Sequence, residues 1–259
     1  MIVDSHCHLN YGSMTEDMDG VMQRASEAGV GTMLAINARL SEYEEVLAIA
    51  ESFDNVWCTV GSHPHEAEKE PGITADQLIE KTRPAKVVGI GETGLDYFYE
   101  HAPRELQKAN FRAHIAASRE TGLPLIVHAR DADEDTASLM KEEMDKGAYP
   151  AVIHCFTASR ALAEACLEMG CYISISGIVT FNSAKDLQET VKIIPLNRLL
   201  IETDAPYLAP VPKRGKPNEP SYVKYTAEFL ASHLDLDYEE LARATTDNFF
   251  TLFSKAQRP

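Results

Sequence analysis

Disulfide chemistry is the first thing this sequence lacks. Its five cysteines, Cys7, Cys58, Cys155, Cys166 and Cys171, are odd in number and include no Cys-x-x-Cys pair. That argues against a disulfide framework and a zinc knuckle, and points to reduced, mostly buried thiols in a cytoplasmic protein. Cys7 and Cys155 neighbour histidines, but adjacent residues on a strand point to opposite faces, so neither is expected to act as a nucleophile. No apolar run approaches the length of about 18 residues that suggests a membrane span. Met1 leads straight into a strand-like Ile2-Val3, so no secretory leader is expected. Positive charge is scarce: 24 Lys and Arg stand against 40 Asp and Glu, a formal net charge of -16. Duplex nucleic acid repels such a chain at long range. A nucleic-acid-processing enzyme stays open, because bound cations can supply the missing charge. Also missing are a Gly-x-Gly-x-x-Gly after the first strand, a P-loop and a Gly-x-Ser-x-Gly elbow. These absences argue against a dinucleotide-binding fold, a nucleotide triphosphatase and a serine hydrolase of the α/β type.

What is present is alternation. Short apolar runs lie at 2–4, 32–36, 56–60, 87–90, 125–127, 151–153, 172–175 and 199–201. Continuous apolar character means strands covered on both faces, as in a parallel sheet. Helical patterns separate them, most clearly over 103–121, where Pro103 suits a first helical position and Leu106, Ala109, Ala113 and Ala116 recur at helical spacing. Residues 41–52 open with Ser41 and Glu44 at capping-box spacing. Segments 15–28, 74–82, 132–146, 159–169, 184–192 and 221–233 read similarly. Gly29, Gly122 and Gly170 fall where left-handed caps are expected. The sequence predicts one domain over residues 1–259, a (β/α)8 TIM barrel, with a doubly wound sheet as the alternative.

The histidines and acids are not spread evenly. His6 and His8 follow the first strand, His63 and His65 the third, and His128 and His154 end the fifth and sixth. Glu92 follows the fourth and Asp204 the eighth. In a barrel these positions share the carboxyl-end face. Alternate residues on an extended chain point the same way, so His6 and His8 can reach one metal. Glu92, at the end of an apolar strand, is expensive to bury unpaired. It either bridges two metal ions or forms a buried salt bridge to Arg130. His128 and His154 read as a second metal site. Asp204 can ligate a metal and accept a proton from water, with Glu202 as the rival carboxylate. The loop 210–220 carries Lys213, Arg214 and Lys216, either gripping an anionic substrate or simply solvated.

These blocks resemble the TatD family of metal-dependent deoxyribonucleases, within the amidohydrolase-like hydrolases. The likeness covers Asp4-Ser-His-Cys-His-Leu9, Gly61-Ser-His-Pro-His65, Ile90-Gly-Glu-Thr-Gly-Leu-Asp-Tyr97, His128-Ala-Arg-Asp-Ala132, His154-Cys-Phe-Thr157, Ser176-Gly-Ile-Val-Thr-Phe181, Ile201-Glu-Thr-Asp-Ala-Pro-Tyr-Leu208 and Arg214-Gly-Lys-Pro-Asn-Glu-Pro-Ser-Tyr222. It implies a TIM barrel holding two divalent ions, Mg, Mn or Zn. His6, His8, Glu92 and Asp204 would hold one ion, and Glu92, His128 and His154 the second. His63 is implied near the substrate phosphate or a further metal. Arg130, Arg214 and Lys216 are expected to bind substrate, and Glu92 and Asp204 to be catalytic. The implied activity is 3'-5' exonuclease cleavage of phosphodiester bonds by metal-activated water, on single-stranded DNA or nucleic-acid ends. The expected protein is a cytoplasmic monomer or weak oligomer. An ester or amide hydrolase of deacylase or lactonase type is the alternative, and a non-catalytic metal-binding scaffold a third. The chain departs from many members at Thr157-Ala158, where they have Ser-Gly, and at Pro217 beside Lys216. Both changes touch substrate-facing loops and bear on substrate preference.

Overall fold

The apolar runs become the eight strands of one parallel sheet: β1 (Ile2–Cys7), β2 (Val30–Ala35), β3 (Val56–Val60), β4 (Val87–Asp96), β5 (Leu125–Arg130), β6 (Ala151–Ile153), β7 (Tyr172–Ile175) and β8 (Leu199–Ile201). The computed structural model describes residues 1–259, the side chain of Ser13 excepted. Strands pair in sequence order, β1 to β8. Just past β8 the sheet meets its own start: Cys7 bridges Ala205, the His8 amide donates to Ala205 O at 2.8 Å, and the Asp204 amide donates to His6 O at 2.9 Å. The result is the expected (β/α)8 barrel.

Three strands run further than their apolar runs. β1 continues through Ser5, His6 and Cys7, β4 through Gly91 to Asp96, and β5 through His128 to Arg130. Every residue of β1 and β4 is buried, polar ones included. An apolar-run reading stops at the first polar side chain, whereas here polar side chains are buried at the strand tips. The extension of β4 depends on glycine. Gly94 has φ 136° and pairs with His128 of β5, and a Cβ there would collide with the His128 carbonyl.

Two apolar layers hold the barrel. One cluster takes a residue from every strand: Val3, Leu34, Trp57, Val88, Ile126, Val152, Tyr172 and Leu200. Phe249, Leu252 and Phe253 join it. The larger cluster packs the other strand faces against the surrounding helices. Phe249 and Leu252 belong to the helix Tyr238–Leu252, which the sequence reading did not anticipate. Its buried face includes Thr245, Thr246 and Asn248, so polar letters interrupt the apolar periodicity. Asn248 Nδ2 donates to Leu196 O and Leu199 O, both at 2.8 Å, and fastens this helix to the start of β8.

Helix ends differ in detail from expectation. Pro103 stands one residue before the helix Arg104–Thr121, as its N-cap. Ser41 and Glu44 form no capping box: a 3-10 turn, Leu40–Glu42, precedes the helix Tyr43–Ser52. Glu70 from a distant loop instead accepts from the amides of Leu40 and Ser41. A capping box does form at Thr74 and Gln77. Gly29, Gly122 and Gly170 take the expected left-handed conformation, with φ of 84°, 70° and 79°. All five cysteines are free, four of them buried. Among the described residues no helix is long and apolar enough to cross a membrane.

One buried histidine fixes the approach to the site. His114 Nε2 accepts the Ser62 amide at 3.1 Å, so its Nδ1 carries the proton and donates to Asn110 O at 2.7 Å. Burial pushes the His114 imidazole down to about 4. A folded value below the unfolded one means stability is present above the ordinary histidine range and is lost as pH falls toward 4. In chelator, wild-type stability should fall by about 3 kcal/mol more than that of His114→Gln between pH 7 and pH 4. Urea titrations at the two pH values check this, and parallel pH profiles would refute it.

Candidate metal centre

The strand extensions converge at the carboxyl end of the barrel around one carboxylate. Glu92 is 2% exposed, and its two oxygens face different groups. Oε2 lies 3.5 Å from His6 Nε2 and 3.8 Å from His8 Nε2. Asp204 Oδ1 closes that side, 3.6 Å from His6 Nε2 and 3.5 Å from His8 Nε2. On the other side, Oε1 lies 2.7 Å from His154 Nε2, 3.2 Å from His128 Nδ1 and 3.4 Å from His63 Nε2. All seven residues from strand ends one, three, four, five, six and eight therefore meet.

Most of these separations are too long for hydrogen bonds and too short for water to pass between. Two ligand atoms each about 2.1 Å from a shared tetrahedral ion stand about 3.4 Å apart. The His6–His8–Asp204–Glu92 spacing matches that edge. His6 is fully buried and neither of its ring nitrogens has a hydrogen-bond partner, and His8 Nδ1 has none either. An orphaned buried imidazole is costly, and a cation at Nε2 removes half of the deficit. Ligand atoms of His6, His8 and Glu92, and of His63, Glu92 and His128, fall within 4.8 Å of one another. The donor set, imidazole plus carboxylate, suits Zn, Mn or Co. On both geometry and chemistry the residues fit two divalent ions.

Supporting carboxylates orient the rings. Glu202 is fully buried, and its Oε1 lies 3.3 Å from His154 Nδ1, which turns Nε2 toward Glu92. Glu202 stands behind His154 and, with His6 and His154, forms a further group of ligand-type atoms within 4.8 Å of one another, whereas Asp204 faces His6 and His8. Asp96 Oδ2 accepts from His128 Nε2 at 3.0 Å, which turns Nδ1 toward Glu92, and lies 2.9 Å from His65 Nε2. Its Oδ1 accepts from the amides of Phe98 and Tyr99. Asp4 accepts from the Thr203 amide at 2.9 Å, the Thr203 hydroxyl at 2.6 Å and the His6 amide at 3.3 Å. Asp204 follows with φ 57°, a left-handed conformation that costs a non-glycine residue about 1–2 kcal/mol. Backbone held against that preference is common at functional sites.

Charge follows the same layout. Burial alone would raise the Glu92 carboxyl, but the charge of His154 and the hydrogen bonds from His128 and His154 outweigh it and hold it well below the ordinary carboxylate range. Burial likewise opposes ionisation of Asp204, and the hydrogen bond from His8 brings it below its ordinary value. Asp96 is also held low, as bonds from His128 and His65 overcome its burial. Burial pushes Asp4 up to about 8.

A cavity of about 620 Å³ opens above these residues, lined also by Arg39, Arg130, Tyr99 and Tyr207. Arg130 makes no salt bridge to Glu92. Its guanidinium lies over the rings of Phe98 and Tyr99, at 4.1 and 4.7 Å, and among the described residues no carboxylate is within ion-pair distance of it. Arg214 and Lys216 are exposed and outside this lining, with Arg214 over the Phe181 ring at 4.2 Å. Cys7 is buried away from the cavity, but Cys155 lines it, contrary to the alternation argument. Cys155 lies past the end of β6 with φ 43°, so strand alternation no longer applies. Burial raises its thiol far above the ordinary range, which leaves it a poor nucleophile. Asp96 and Arg39 are not among the expected site residues, and His65, expected on this face, has no expected role there. Period-two alternation from Glu92 could have found Asp96. Arg39, which bonds Glu42 and Glu66, had no such signal.

The model of the family described as "TatD related DNase" matches residues 3–254. The uncharacterized metal-dependent hydrolase YcfH of Escherichia coli (strain K12) is 43% identical over 257 residues, covering 97% of this chain and 95% of that one. A protein of Enterobacter lignolyticus named 3'-5' ssDNA/RNA exonuclease TatD is 36% identical, covering 98% and 99%. Among solved structures, the Escherichia coli TatD homologue YJJV superposes with a TM-score of 0.89 at 30% identity, covering 98% of both chains.

Removing a carboxylate behind a metal-binding histidine weakens metal affinity about 10- to 100-fold. Glu202→Gln should show a loss of that size in competition with a chromophoric chelator, with unchanged circular dichroism. Wild-type affinity in the variant would exclude Glu202 as the group that orients His154.

Proposed function

Since this chain belongs to the TatD-related DNase family and is a metal-dependent hydrolase, we propose that it hydrolyses phosphodiester bonds at the ends of single-stranded nucleic acid. The observation that carries this reading is the division of Glu92, with one oxygen facing His6, His8 and Asp204 and the other facing His63, His128 and His154. A site for two ions in this arrangement suits an in-line displacement at phosphorus, where attacking and leaving oxygens both need stabilisation. Divalent ions held there would supply Lewis-acid polarisation of the phosphoryl oxygens and make water more acidic.

The chain's own groups do the rest. Glu92 keeps the two ligand groups apart and balances their charge. Asp204 stays ionised, so its Oδ1 can accept a proton from the attacking water. Arg130, without a carboxylate partner, neutralises a non-bridging phosphate oxygen through its planar fork. His63, whose imidazole burial keeps neutral, either completes the second ligand group or donates to the phosphate. The net charge of -16 opposes tracking along a duplex and favours ends that enter the cavity singly. The relative named as a 3'-5' ssDNA/RNA exonuclease supports the same substrate class.

The test is degradation of 3'- or 5'-labelled single-stranded DNA with Mg²⁺ or Mn²⁺, and with chelator. A metal-dependent ladder is expected, with polarity read from the label. Asp204→Asn should slow it by about 10²- to 10⁴-fold, the usual contribution of a positioned general base, and Glu92→Gln should abolish it. No cleavage with any metal by the folded protein would overturn the reading and direct the search to esters and amides.

A further inference from the structure

The sequence contains 9 Phe, 10 Tyr and 1 Trp. Among the described residues three of these aromatics are exposed, Phe98 at 55%, Tyr99 at 50% and Tyr207 at 53%. All three stand at the mouth of the site: Tyr99 and Tyr207 line the main cavity, and Phe98 lines a second cavity of about 310 Å³. Scattered exposed apolar residues need no explanation, but concentration on one rim does. The two cavities share Ala129, Arg130 and Thr157 as lining, so Arg130 forms the step between them. Its guanidinium covers one face of Phe98 at 4.1 Å, while more than half of that residue remains open to solvent. The loop is not loose, because Asp96 accepts the amides of both Phe98 and Tyr99, at 3.1 and 3.0 Å.

We propose that the second cavity is a nucleobase subsite, in which the base second from the digested end stacks on the open face of Phe98 while Arg130 holds the scissile phosphate beside it. This rests on the phosphodiesterase reading and adds to it the contact that distinguishes a strand from a single phosphate ester. The chemistry favours a base over a second phosphate there. Asp131 and Asp133 line the same cavity and repel an anion, whereas a carboxylate accepts from the amino group of a base. Asp133 accepts the Ser159 amide at 2.8 Å through Oδ2, which leaves its Oδ1 and the Asp131 carboxylate to accept from a base. Alternating cation and aromatic face is the pattern that grips single strands without reading sequence.

Phe98 is varied to Leu, which keeps apolar bulk beneath Arg130 but removes the π face, and to Trp, which keeps it. Each Mn²⁺-loaded enzyme is assayed on the methyl ester of thymidine 5'-monophosphate, on a single-stranded pentanucleotide, and on the same pentanucleotide with an abasic sugar second from the digested end. On the intact pentanucleotide, Phe98→Leu should raise KM about tenfold, within the range for one stacked base, and Phe98→Trp should not. On the abasic strand the three enzymes should be equally poor, and on the mononucleoside ester equally good. Equal KM values on the intact strand, or an abasic strand cleaved as well as the intact one, would overturn the subsite and leave the phosphodiesterase reading standing. Failure of the wild type on the mononucleoside ester and on both strands would overturn the two together.

Discussion

The constraint on which the molecule turns is a carboxylate with almost no water around it. Glu92 is buried, and five histidine rings stand within 4 Å of its oxygens. Alone, such a group would be neutral or would drive the strand tip outward. Here it stays ionised because imidazoles surround it on both sides, and of those rings His6 has no hydrogen-bond partner at either nitrogen and His8 none at Nδ1. Charge and ligand demand are therefore balanced only when cations complete the set. The supporting acids follow the same logic one layer out: Glu202 behind His154, Asp96 behind His128, and Asp4 behind the Thr203–Asp204 turn.

The barrel exists in the form it does to place these groups. Strand tips bury polar residues because neighbouring strand tips bury their partners. Glycine at 94 lets β4 lie against β5 closely enough for Glu92 and His128 to face each other. At the opposite end apolar packing takes over, where Phe249, Leu252 and Phe253 pack against the layer that every strand contributes to. Stability and chemistry are thus separated along the strand direction, a division the architecture permits because loops at one end can vary while the packed end is kept.

Much of this was legible in the sequence, and the gaps have physical reasons. Eight strands could be read because buried parallel strands are written as unbroken apolar runs. Their lengths could not, since His6, Glu92 and His128 end an apolar run without ending a strand. The seven converging ligand-type residues were legible because each follows such a run. The helix 238–252 was hidden by buried Thr245, Thr246 and Asn248, whose hydrogen bonds rather than hydrophobicity justify their burial. Cys155 was misread because a left-handed residue after β6 breaks the alternation on which the argument relied. Arg130 could be found, but not its freedom from Glu92, because nothing in one dimension says that two aromatic rings, not a carboxylate, support its guanidinium.

Closure of the barrel joins positions that are far apart in time as well as in sequence. Asp4 and Thr203, which hold β1 to the end of β8, are separated by 199 positions, and the aromatic plug comes later still. At about 5–20 residues per second, a ribosome places tens of seconds between the two halves of that seam. For most of that interval His6 and His8 have no Asp204 opposite them. A polypeptide stalled before its last strand carries the histidines of the site with an open seam where Asp204 belongs.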